Sequence, residues 1–147
     1  MNSNINDEPN VQQAVPLFSV SNMEESLNFY IDGLGFTITN KWIEDGKLLW
    51  CWLQLGGAAV MLQEFRKEGK NSWAPKGKPG EGVSINFQCK DAIAIYKEVI
   101  TRGIQPKKPF VGNGMWVTGI SDPDGYRLFF ESITDMPEET EYTRTGT

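Results

Sequence analysis

An α+β fold of two tandem βαβββ modules, whose mostly antiparallel sheets form a concave cleft with helices on the outer face, is predicted by three observations. A strand–helix–three-strand pattern occurs twice, in residues 14–65 and 82–133. Each helix is preceded by a capping residue, and a Gly-, Pro- and Lys-rich stretch, residues 66–81, separates the halves as a linker. With 147 residues, 39% hydrophobic and 12% aromatic, the chain is long enough for one good core and one domain.

The elements follow in order. Val15 to Val20 reads as a strand, and Ser21 or Asn22, with a glutamate three residues on, forms a capping box. Leu27, Tyr30 and Leu34 give the ensuing helix its apolar stripe, and Gly33 and Gly35 end it. Phe36 to Ile43 alternates as a strand, Asp45-Gly46 marks a hairpin, and Leu48 to Leu55 and Ala59 to Phe65 are strands about the Gly56-Gly57 turn. The second module repeats this with a strand Val83 to Cys89, then a helix capped by Asp91 and carrying Ala92, Ile95, Tyr96, Val99 and Ile100 at helical spacing. Strands near Lys107 to Val111, Met115 to Ile120 and Tyr126 to Ile133 follow, joined by Asn113-Gly114 and Asp122-Pro123-Asp124-Gly125.

Composition excludes much chemistry. The chain has no histidine, hence neither the commonest transition-metal ligand nor the one side chain that titrates near neutrality when unperturbed. The net charge of −5 resides in the tails: residues 14–133 hold 13 acidic and 13 basic side chains, so the tails 1–13 and 134–147 read as flexible and solubilising. Neither a nucleic-acid partner nor a membrane is expected, because the basic loop 66–81 is interleaved with glutamates and no apolar stretch approaches a membrane span. The polar N-terminus lacks a secretory pattern, which reads as a cytoplasmic protein, and Cys51 and Cys89 read as reduced core residues. There is no serine elbow, no phosphate loop, and no histidine base for either thiol, so no catalytic residue is expected.

One helix covers one face of each sheet, so function is expected on the other face. The period of two assigns its lining. In the strand after the linker, Ile85, Phe87 and Cys89 turn to the helix, and Ser84, Asn86 and Gln88 to the cleft. By the same parity Val15, Leu17 and Ser19 face the cleft from the first strand, Trp50, Trp52 and Gln54 from the third, and Phe129 and Glu131 from the last. Met61, Gln63 and Trp116 complete the candidate ligand-binding set, with Trp116 of uncertain parity. Trp73, in the linker, reads as pinning its loop.

The strings VPLFSVSNMEESLNFYIDGLGF and DPDGYRLFFE, on a duplicated βαβββ plan covering residues 14–133, resemble the vicinal oxygen chelate superfamily of glyoxalases, extradiol dioxygenases and fosfomycin and bleomycin resistance proteins. The resemblance implies four cleft positions for metal ligands, which fall here on Val15, Met61, Ser84 and Phe129. None is a plausible ligand for a divalent ion. The chain is therefore most similar in character to the bleomycin-resistance type. That type implies a homodimer that binds a small aromatic or amphipathic molecule, an antibiotic for instance, without metal or other cofactor and without turnover. Two other readings stay open: a metal-dependent lyase, isomerase or dioxygenase using oxygen ligands such as Glu131 and Gln63, and a non-catalytic dimerisation module with a plugged cleft.

Overall fold

The computed structural model describes residues 7–143. The first module runs β1 (Leu17–Val20), α1 (Met23–Leu27), a π-helical turn (Asn28–Gly33), β2 (Thr37–Glu44), β3 (Lys47–Leu55) and β4 (Ala58–Glu64). The second runs β5 (Ser84–Gln88), α2 (Ala92–Thr101), β6 (Phe110–Gly112), β7 (Met115–Ser121) and β8 (Arg127–Ile133). Each module builds a four-stranded sheet, ordered β1-β4-β3-β2 and β5-β8-β7-β6, with the first and last strands parallel and the other pairs antiparallel. The duplicated βαβββ plan is thus the observed architecture. No helix among the described residues is long and apolar enough to cross a membrane.

The local signals act as the chemistry dictates. Of Ser21 and Asn22 it is the asparagine that caps α1, its Oδ1 accepting from Glu25 N–H at 3.1 Å, and Asp91 caps α2 by accepting from Ala94 N–H at 2.9 Å. The Asp45-Gly46 and Asn113-Gly114 hairpins have positive φ at both residues, the geometry that matches strand twist. Glu64 is buried where α1 begins; burial pushes its carboxyl up, but Lys47 and the Met23 N–H outweigh this and hold it below the usual carboxylate range.

Two expectations are corrected. The strand predicted near Lys107 to Val111 contracts to β6, because Pro106 and Pro109 carry no N–H for a ladder. The acidic segment read as a flexible tail from 134 is tied down as far as Tyr142. Val111 N–H donates to Thr140 O, Glu139 N–H to Val111 O and Tyr142 N–H to Pro109 O, while the Glu138 carboxylate receives the N–H groups of Asn113 and Gly114 at 2.7 and 2.8 Å. Residues 144–147, like 1–6, lie outside the described part. The helix-facing sides of the two sheets share one core across the module boundary, with Phe36 set edge-on to Phe87 at 6.3 Å.

At one module junction the turn before β8 is fastened to the free edge of β1. The Tyr126 ring stacks on Phe18 at 4.5 Å and its hydroxyl donates to the Ser19 carbonyl at 2.9 Å. The buried Tyr30 hydroxyl donates to Asp122 at 2.8 Å, Asp122 also accepts from the N–H groups of Asp124 and Tyr126, and Ser21 N–H points at the Asp124 carboxylate. Burial raises the Asp122 pKa above the usual carboxylate range despite these donors, and burial beside Asp122 drives the Tyr30 phenol far up, so the hydroxyl keeps its proton.

Candidate functional site

Register fixes which side chains share the sheet faces turned away from the helices, called open faces below. On the first sheet one row reads Ser19, Gln63, Trp50, Trp42 and the next Leu17, Met61, Trp52, Asn40. On the second sheet Asn86 lies beside Phe129 and Gly119, and Gln88 beside Glu131 and Val117, with Phe110 next to Val117; Ser84 lies beside Arg127. The Phe129 ring rests over Gly119, where an added Cβ would come within 3.1 Å of it.

Nine of the ten predicted site residues are thereby on open faces: Trp50, Trp52, Met61 and Gln63 on one sheet, and Ser84, Asn86, Gln88, Phe129 and Glu131 on the other. Trp116 is not. Its partner across the ladder is Ser132, on the helix-facing side, and its ring meets Tyr142, which in turn meets Tyr96 of α2. Trp42 escaped the sequence reading although it completes the Trp50 row; its signal was its place in an alternating strand whose bulges obscure parity. Trp73 packs edge-on to Phe65 and its N–H bonds Arg66 O, so it does anchor its loop.

The open faces are apolar surfaces studded with self-satisfied polar groups. Trp52 Nε1 donates to Gln54 at 2.9 Å and Gln88 Nε2 to Glu131 at 2.8 Å. Trp50, Trp52, Met61 and Phe129 are half-buried, but Trp42 is 55% exposed, Leu17 48% and Phe110 45%. The four positions the family resemblance marks for metal ligands offer an isopropyl group, a thioether, a hydroxyl and a phenyl ring, a donor set that does not fit a divalent ion. Among the described residues no three His, Cys, Asp or Glu come together. The Cys51 thiol is pushed up to about 11 by burial, and burial raises Cys89 as well, so both are protonated near neutrality.

A cleft of about 670 Å³ lies elsewhere, between the modules on the helix side. Its apolar walls include Leu34 and Leu55 from the first module and Phe87, Val99 and Phe130 from the second. The β5 edge, with Asn86 and Gln88, and the ion pair of Arg102 with Glu98 also line it.

Comparison with known proteins agrees with this architecture. The model of the Glyoxalase/Bleomycin resistance protein/Dioxygenase superfamily matches residues 12–130. The chain belongs to that superfamily. Among solved structures it is similar to TnmS3, an antibiotic binding protein from Streptomyces sp. CB03234, at 20% identity over 86% of this chain and 100% of that one, with a TM-score of 0.65. A superfamily member from Sphaerobacter thermophilus DSM 20745 shares 25% identity over 83% of this chain and 98% of its own, at 0.63. TioX from Micromonospora sp. ML1 shares 13% over 83% and 99%, at 0.62. No curated protein matches.

Proposed function

We propose that this superfamily member is a metal-independent binder of small aromatic or amphipathic molecules, antibiotics included, acting as a homodimer whose second copy covers the open sheet faces. The observation that carries the reading is the chemistry of the former chelating positions: Val15, Met61, Ser84 and Phe129 suit packing, and Met61 sits beside Trp52, two residues along β3 from Trp50. Stacking surfaces of this kind hold flat ligands, and the amides of Asn86 and Gln88, which donate to Ser84 and Glu131, supply polar anchors. Exposed apolar side chains on both open faces, Leu17 and Trp42 on one sheet and Phe110 on the other, favour coverage by a partner, and a second copy is the self-complementary choice. That the similar TnmS3 is an antibiotic binding protein is consistent with the reading.

Calorimetric titration with a panel of fused-ring aromatic compounds, run alongside sedimentation equilibrium, tests it. The expected outcome is a dimer that binds at least one panel member, with Trp52→Ala weakening binding about tenfold, the loss of one stacking contact. A stoichiometric Mn, Fe, Ni or Zn in protein purified without chelator would overturn it.

A further inference from the structure

The duplication relates the two junctions between modules residue by residue, and only one of them is filled. Aligning the ladders places Phe87 where the first module has Phe18, Gln88 where it has Ser19, Leu55 where the second module has Asp122, and Ala58 where it has Tyr126. At the filled junction the Tyr126 ring lies on Phe18 and its hydroxyl on the Ser19 carbonyl. At the other, the turn is Gly56-Gly57, around whose missing Cβ atoms there is open space, and the equivalent of the tyrosine is a methyl group. The 670 Å³ cleft occupies that place.

The polar groups that Tyr126 satisfies on one side also recur on the other. Cys89 N–H is turned to Glu131 O, so in a parallel ladder the backbone groups of Gln88 are turned to the unpaired edge, as those of Ser19 are. Phe87, stacked on Phe130 at 4.8 Å, lines the cleft wall as Phe18 lines the filled junction. At the mouth, Arg102 is already matched by Glu98 at 2.6 Å, so the site favours a neutral guest over an anion.

We propose that this cleft is a second small-molecule site, separate from the open sheet faces, which takes a neutral phenol-like ring: the ring against Phe87, the hydroxyl donating to the Gln88 carbonyl. The molecule's own Tyr126 is the template for the guest. The volume lies within the range of small-molecule pockets, about 300–1,000 Å³.

The test is 4-fluorophenol followed by fluorine and amide NMR, with 4-fluoroanisole, which has no donor, and 4-fluorobenzoate, which is anionic, as comparison probes. Saturable shifts are expected for 4-fluorophenol at the amides of Phe87, Gln88 and Val99, with the open-face amides of Gln63 and Trp50 unmoved, which keeps the result distinct from the function proposed above. Both comparison probes are expected to bind about fivefold more weakly or worse, the value of one hydrogen bond. Ala58→Tyr is expected to fill the cleft from within and abolish the shifts. Tyr126→Ala is expected to create a matching second cleft, with new shifts at Phe18 and Ser19, so the proposal stays testable whichever variant folds. Absence of saturable shifts in the unaltered protein, shifts confined to the open faces, or binding unchanged by Ala58→Tyr would overturn it.

Discussion

Two junctions hold the modules of this protein together, and they descend from one plan with opposite solutions. Where β1 meets the second module, a tyrosine, two aspartates and a buried phenol interlock through side-chain hydrogen bonds. Where β5 meets the first module, leucine, alanine and two glycines stand in the corresponding turn, and a cleft remains. A buried polar network fixes a unique geometry only when every member is satisfied. The difference suggests a division of labour, with the polar junction setting the relative position of the modules and the apolar one leaving room for a guest.

The largest expected effect comes from breaking the polar junction. Asp122→Ala strands the Tyr30 hydroxyl and two backbone N–H groups, and urea unfolding is expected to show a loss of about 4 kcal/mol. Tyr126→Ala, which removes the stack on Phe18, is expected to cost about 3 kcal/mol in the same assay. The counterpart change at the open junction, Leu55→Ala, removes a half-buried side chain with no network behind it and should cost about 2 kcal/mol. Equal losses for Asp122→Ala and Leu55→Ala would erase the contrast.

Tyr30→Phe is a finer probe, with an expected cost of about 1.5 kcal/mol near neutrality. Burial already raises the Asp122 pKa, and removing the Tyr30 donor, which opposes that shift, raises it further. A carboxyl whose folded pKa lies above its unfolded value contributes stability that is fully present below the unfolded pKa and lost as pH rises through the folded one. The cost of Tyr30→Phe is therefore expected to be smaller around pH 4 than around pH 7, measured by unfolding at both; a pH-independent cost would contradict this electrostatic account.

What was legible in the sequence was what neighbouring residues decide. Asn22 and Asp91 announced their helices, Asp45-Gly46 and Asn113-Gly114 their hairpins, and alternation in β5 sorted Ser84, Asn86 and Gln88 from Phe87. What failed depended on distant partners. The side taken by Trp116 is set by its pairing with Ser132. The ordering of 134–142 comes from β6, which has no other strand on that edge. Asp122 and Tyr126 read as a turn and a strand start, because their roles arise from Tyr30 and Ser19, 92 and 107 residues away. Candidate site residues were legible by face, but the cleft between modules depends on docking two sheets and left no mark in local pattern.

The most direct test of the binding function is tryptophan fluorescence of chelator-treated protein titrated with the fused-ring aromatic panel. The account predicts saturable quenching by at least one compound, lost when Trp50 and Trp52 are both replaced by phenylalanine. No saturable quenching by any compound, or quenching that emerges only once a divalent metal is restored, would contradict it.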